Sequence, residues 1–137
     1  MKFNVTDKIK KQDEETIFRG LLEYNLARIE DKNPKDLGVY FHDEKGEILA
    51  GLIGNTHGNW MTVKYLWVSE KLRGQNIGSQ ILRKAEETGK ERGCKSAFLD
   101  TFSFQAPEFY KKYGYKEKFV LEEYPVEGKR YYFTKNL

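Results

Sequence analysis

Leu66-Trp67-Val68-Ser69-Glu70-Lys71-Leu72-Arg73-Gly74-Gln75-Asn76-Ile77-Gly78 is the stretch on which the reading of this chain turns. An apolar strand end enters a glycine-containing loop, and the amphipathic run Ser79 to Arg92 continues as a helix. The first N–H groups of a helix have no intrahelical partner and sit at the positive end of its dipole. A loop of this layout therefore suits an anion such as a pyrophosphate, with little need of cationic side chains.

Upstream, Phe3 to Val5 reads as a short strand and Gln12 to Glu30 as a helix with an approximate apolar stripe, ended by Asn33-Pro34. Leu37 to His42 and Glu47 to Thr56 form a hairpin turning at Gly46. Trp60 to Val68 is a third strand, in which Met61, Val63, Tyr65 and Trp67 alternate with Thr62 and Lys64. Leu66 and Val68 break that alternation, which predicts a strand end covered on both sides.

Downstream, Gly93 closes the long helix. Lys95 to Phe102 is a strand, Gln105 to Tyr113 a short helix capped by Gly114, and Tyr115–Tyr124 and Lys129–Thr134 are two further strands. The connection from Val68 to Lys95 is long enough for a parallel crossover, which puts the loop at a strand's carboxyl end. These elements predict a single α+β (mixed α/β) domain over residues 1–137, with a mixed, mostly antiparallel twisted sheet and helices on both faces.

Composition narrows the function classes. The chain has 24 basic and 21 acidic residues, so the balance of +3 gives nucleic acid little to hold. From Lys71 to Lys95 seven Lys/Arg face three Glu, a local excess around the loop. The single Cys94 excludes an intrachain disulfide and fits a reducing compartment, so a cytoplasmic location is expected. No apolar run approaches the roughly 20 residues that cross a bilayer. His42, His57 and Cys94 lack ligand spacing, so no metal is expected.

The loop has no Lys-Ser/Thr after its glycines and no G-x-G-x-x-G, which excludes the common nucleotide fingerprints. Its Arg73-x-x-Asn76-x-Gly78 resembles the coenzyme A loop of the GNAT N-acetyltransferase superfamily, Gln/Arg-x-x-Gly-x-Gly/Ala. Ala106-Pro-Glu-Phe-Tyr110-Lys-Lys-Tyr-Gly-Tyr115 resembles that family's A-x-x-F/L-Y-x-x-x-G-F/Y segment and follows at the right distance. Asn76 stands where the family usually has glycine, and it is the non-glycine residue best suited to left-handed backbone. Ser103 stands where the family often has an Asn that bonds the cofactor arm.

The resemblance implies a GNAT fold and acetyl-CoA as co-substrate. It implies that backbone amides of Arg73, Gly74, Gln75, Asn76, Ile77, Gly78 and Ser79 hold the pyrophosphate. The backbone of Leu66, Trp67 and Val68 would pair with the pantetheine arm as an added strand does. It also implies that Tyr110 is the general acid for the departing thiolate, a phenol of pKa about 10 against a thiol of about 8.5. The partner would be a primary amine of a small molecule or peptide, attacking the thioester directly in a ternary complex. An alkyl amine of pKa about 10.4 costs roughly 4–5 kcal/mol to deprotonate at pH 7. His57, Glu70, Asp100 and water all remain open as the base. Lys129-Arg130-Tyr131-Tyr132 reads first as an exposed basic strand and alternatively as a surface favouring an acidic or aromatic acceptor, and two edge strands at the C-terminus would suit a homodimer. A non-catalytic acyl-CoA sensor or scaffold is the alternative.

Overall fold

The computed structural model describes residues 1–30 and 33–137. The chain forms two compact units, Met1–Lys32 and Asn33–Leu137. Among the described residues of the first unit is one helix, α1 (Lys11–Leu26), with Asp13 and Glu14 in its first turn, where the dipole favours negative charge. Phe3 to Val5 is not a strand: three apolar-alternating residues do not make one without a ladder of backbone hydrogen bonds. The apolar residues Ile17, Phe18 and Leu21 of α1 are exposed.

The second unit is built on six strands: β1 (Lys35–His42), β2 (Ile48–His57), β3 (Trp60–Val68), β4 (Ser96–Phe102), β5 (Lys116–Leu121) and β6 (Arg130–Asn136). Their order in the sheet is β1-β2-β3-β4-β6-β5. All neighbours are antiparallel except β3 and β4, which run parallel. The β3–β4 crossover contains α2 (Ile77–Glu91), and α3 (Pro107–Lys112) follows β4. β6 lies inside the sheet between β4 and β5, so only one of the two C-terminal strands is an edge.

α2 buries Ile77, Ile81, Leu82, Ala85 and Gly89, the stripe that a 3.6-residue period places on one face. That stripe packs over β1, β2 and β3. It shares one core with Leu52, Met61, Leu99, Tyr110, Tyr115 and Phe133. Arg92 donates to the Asp36 carbonyl and the Thr56 hydroxyl, and Lys135 to Glu86, so part of the charge around α2 is structural. Cys94 is buried.

The decisive irregularity is in β3. Ile53 of β2 pairs with Tyr65 but Gly54 pairs with Val63, so Lys64 is an extra residue, a β-bulge. Before it Met61 and Val63 are buried; after it Tyr65 and Trp67 are exposed, while Leu66 and Val68 are partly buried and pack against the core. The alternation is therefore inverted by one inserted residue, and the strand end is not covered on both sides as the sequence suggested. Gly54 is required opposite the bulge: a Cβ there would lie 2.1 Å from the Thr62 carbonyl oxygen.

Candidate functional site

β3 and β4 pair only at Trp60–Ser96, Met61–Ala97 and Thr62–Phe98. Beyond Thr62 the bulge turns β3 away, and a cleft of about 450 Å³ opens between the two strands. Val63 to Trp67 form one wall; Leu99, Asp100 and Thr101 form the other, with Gln105, Ala106 and Tyr110 above them. On the β2 side, residues 65–68 keep their partners, Ile53, Leu52, Gly51 and Ala50. Their β4-facing edge is left open, which is the geometry that an extended ligand arm can use as a missing strand.

A second cavity of about 310 Å³ lies where β3 ends, lined by Val68, Leu72, Arg73, Gly74, Asn76, Ile77, Gly78, Ser79, Phe109, Lys112 and Tyr113. Asn76 caps α2 with φ 58° and ψ 27°, a left-handed conformation that it adopts in place of glycine. Gly74 is also left-handed, at φ +79°. Ser79 Oγ donates to the Asn76 carbonyl at 2.9 Å, and Gln80 Nε2 to the Gln75 carbonyl at 3.3 Å, fixing the turn. No acidic residue lies in the first turn of α2. The amides that begin α2 therefore border a cavity free of competing negative charge, as an anion requires. A Cβ on Gly78 would reach Val68 Cγ2 at 3.4 Å and Phe109 Cζ at 3.6 Å, so any larger side chain there enters the cavity.

The two cavities are contiguous in sequence through Leu66-Trp67-Val68 and through Phe109-Tyr110. Tyr110 is buried, packed edge-on against Phe109 and Tyr115. Its phenol is pushed up to about 12, first by burial and then by the charge of Asp100. It therefore keeps its proton throughout the neutral range, at the cost of being a weaker acid than a free phenol. Tyr115 donates to Glu86 at 2.8 Å and is also raised, by burial and then by Glu86.

The predicted residues separate on inspection. Arg73, Gly74, Asn76, Ile77, Gly78, Ser79 and Val68 meet in the cradle, and Leu66, Trp67 and Tyr110 in the open cleft. Gln75 contributes its carbonyl to the turn. Ser103 lines neither cavity; its Oγ accepts from the Lys129 N–H at 3.1 Å and ties the end of β4 to the start of β6. Gln105, not singled out from sequence, lines the cleft, and its Oε1 accepts from the Phe102 N–H at 2.7 Å. Among the three base candidates, Asp100 alone lines the cleft. His57 pairs with Trp60 at the far end of β3, and Glu70 forms an exposed ion pair with Arg73 at 3.4 Å.

Arg130 is not a free surface cation. Its Nε donates to Asp100 Oδ2 at 2.8 Å and its Nη1 to the Tyr124 hydroxyl at 3.0 Å. Its guanidinium lies 5.3–5.4 Å from the ring centres of Phe102, Tyr124 and Tyr132. A larger groove, about 1040 Å³, runs along Thr6 to Leu21 wholly within the first unit and brings together no comparable set of groups. No group of His, Cys, Asp or Glu among the described residues forms a metal site, and no helix among them is long and apolar enough to cross a membrane.

This chain matches the Acetyltransferase (GNAT) family over residues 5–115. It is 35% identical over 115 residues to Acetyltransferase Atu2258 of Agrobacterium fabrum, covering 84% of each chain. It is 37% identical over 88 residues to the Blasticidin-S acetyltransferase of Streptomyces morookaense, covering 64% of this chain and 65% of the relative. The crystal structure of an acetyltransferase from Bacillus cereus superposes with a TM-score of 0.85 at 33% identity, over 98% of both chains. Splayed parallel strands, a cradle at the start of α2 and the extent of these matches lead to one statement: the chain belongs to the GNAT acetyltransferase family, which acts with acetyl-CoA.

Proposed function

We propose that this acetyltransferase transfers its acetyl group to a primary amine of a small molecule or peptide, by direct attack within a ternary complex. The observation that carries this reading is the cleft between β3 and β4, with Tyr110 and Asp100 both in its lining. Acetyl-CoA supplies the activated acetyl thioester. Backbone amides from Arg73 to Ser79 hold the pyrophosphate, and the open edge of Leu66 to Val68 hydrogen-bonds the pantetheine amides. An N–H on that edge polarises the thioester carbonyl. Most of the acceleration then comes from holding two reactants in register.

Tyr110 supplies the proton for the leaving sulfur. A phenol near 12 is a costly full donor to a thiolate near 8.5, about 3.5 pH units uphill or roughly 5 kcal/mol. Its contribution is accordingly a hydrogen bond that strengthens as charge develops on sulfur, with transfer completed late. The family match spans residues from both units, which supports one functional domain over 1–137. A cytoplasmic setting belongs to the same reading and rests on the chain's use of a single cysteine.

The test is acetylation of an amine panel, followed by release of free thiol. Acceptor-dependent thiol release supports the reading. Tight coenzyme A binding with no release for any amine would replace it with an acyl-CoA sensor.

A further inference from the structure

We propose that Asp100, clamped by Arg130, is the carboxylate that receives the attacking amine, and that the acceptor carries this amine on a flat, stacking body. This rests on the acetyltransferase reading above and names a substrate class within it. Asp100 is the one carboxylate among the cleft-lining residues, and it shares that lining with Tyr110. On β4, Leu99 and Thr101 are buried, whereas Asp100 belongs to the alternate, partly buried set with Phe98 and Phe102. An amine that enters between the splayed strands therefore meets Asp100 from the side opposite the core.

The carboxylate is held in place. Arg130 occupies Oδ2, and both side chains are about three-quarters buried, with 27% and 30% exposed. Two hydrogen bonds and three rings fix the guanidinium, and its Nε–H bond to Oδ2 orients the carboxylate. The other oxygen, Oδ1, is the one assigned to the amine. Arg130 also balances the charge of Asp100, so a passing ammonium gains little and the hydrogen-bonding neutral amine is the form retained. Arg130 is thus a positioning residue.

The same cleft supplies the stacking surface. Tyr65 and Trp67 line it and are 70% and 56% exposed, so both rings offer aromatic surface to a flat ligand. In the reaction, the bond from nitrogen to the carbonyl carbon forms and the carbon–sulfur bond breaks. One amine proton passes to Asp100 Oδ1, the Tyr110 phenol gives its proton to sulfur, and exchange with water restores both groups.

The experiment compares tryptamine with n-butylamine as acceptors by thiol release, and measures tryptamine binding to the coenzyme A-loaded protein by calorimetry. Tryptamine should exceed n-butylamine in kcat/KM by about tenfold. Asp100→Asn should lower kcat with tryptamine by about 100-fold and weaken its binding, with coenzyme A affinity unchanged. Arg130→Gln should lower kcat by about tenfold at an unchanged coenzyme A affinity, and Arg130→Lys should recover part of it. Tyr65→Ser, at an exposed ring that leaves folding intact, should erase most of the tryptamine preference.

Wild-type-like acetylation of tryptamine by Asp100→Asn, or equal use of both amines, would overturn the proposal. So would a wild-type protein that does not bind tryptamine. If the wild type binds tryptamine and releases no thiol, the transfer reading fails. The anchoring role of Asp100 is then decided by calorimetry on Asp100→Asn alone.

Discussion

The two halves of β3 share one strand and do opposite things. From Trp60 to Thr62 the strand is bonded to both neighbours and its inward residues fill the core; from Tyr65 to Val68 it is bonded to β2 alone and faces a cleft. A single extra residue, Lys64, separates them. Scaffold and binding wall thus need no separate elements: one bulge reverses which side chains face the core and detaches the strand from β4.

The contrast breaks most severely at Gly54. Gly54→Ala drives a Cβ into the Thr62 carbonyl and should cost about 3 kcal/mol or more, read as a lower denaturant midpoint. Unchanged stability would mean that the bulge is not pinned there. At the cradle, Gly78→Trp should weaken coenzyme A binding by roughly 100-fold or more in calorimetry, near 3 kcal/mol. Normal affinity would move the pyrophosphate elsewhere. In the cleft, Tyr110→Phe should lower kcat by about 100-fold while coenzyme A affinity stays within about twofold. An unchanged kcat would remove Tyr110 from the chemistry.

Alkaline titration gives a smaller effect. Tyr110, normally at 10.0, holds its proton to about 12 in the folded chain, and Tyr115 is raised as well. The unfolded chain therefore loses protons first, and stability, intact below about pH 10, should fall as pH rises toward 12. Tyr110 accounts for on the order of 2–3 kcal/mol of that loss. Denaturant melts at pH 9 and 11 check it, and Tyr115→Phe should flatten the slope. The smallest change is at Asn76. With φ already at 58°, Asn76→Gly should alter stability by less than about 1 kcal/mol and leave coenzyme A binding near normal.

Much of this was legible from local signals. The limits of β3 match the expectation, and Gly46, Gly93 and Gly114 turn the chain where their φ of 82° to 93° demands glycine. Left-handed Asn76 could be read from its place in the loop. The bulge could not, because an extra residue in one strand is defined by its partner. Its only trace was the broken alternation at Leu66 and Val68, which has two explanations. Arg130 was misread for the same reason: Asp100 lies 30 positions away in sequence and Tyr124 six, and only strand pairing puts them around it. The contact of Ser103 with the Lys129 N–H was equally invisible, since the two residues lie 26 positions apart.

Three residue pairs join β3 to β4, and that is a narrow spine for a six-stranded sheet. Within the sheet it leaves two leaves, β1-β2-β3 and β4-β6-β5, that pair along one short edge, while beneath them α2 packs on the first and reaches the second through the shared core and Glu86. A ligand lying between the leaves would be a stitch as well as a substrate: its bonds resist the same separation as Trp60 to Thr62. Stability would then follow co-substrate supply, with the sheet most firmly closed when the enzyme is loaded for turnover.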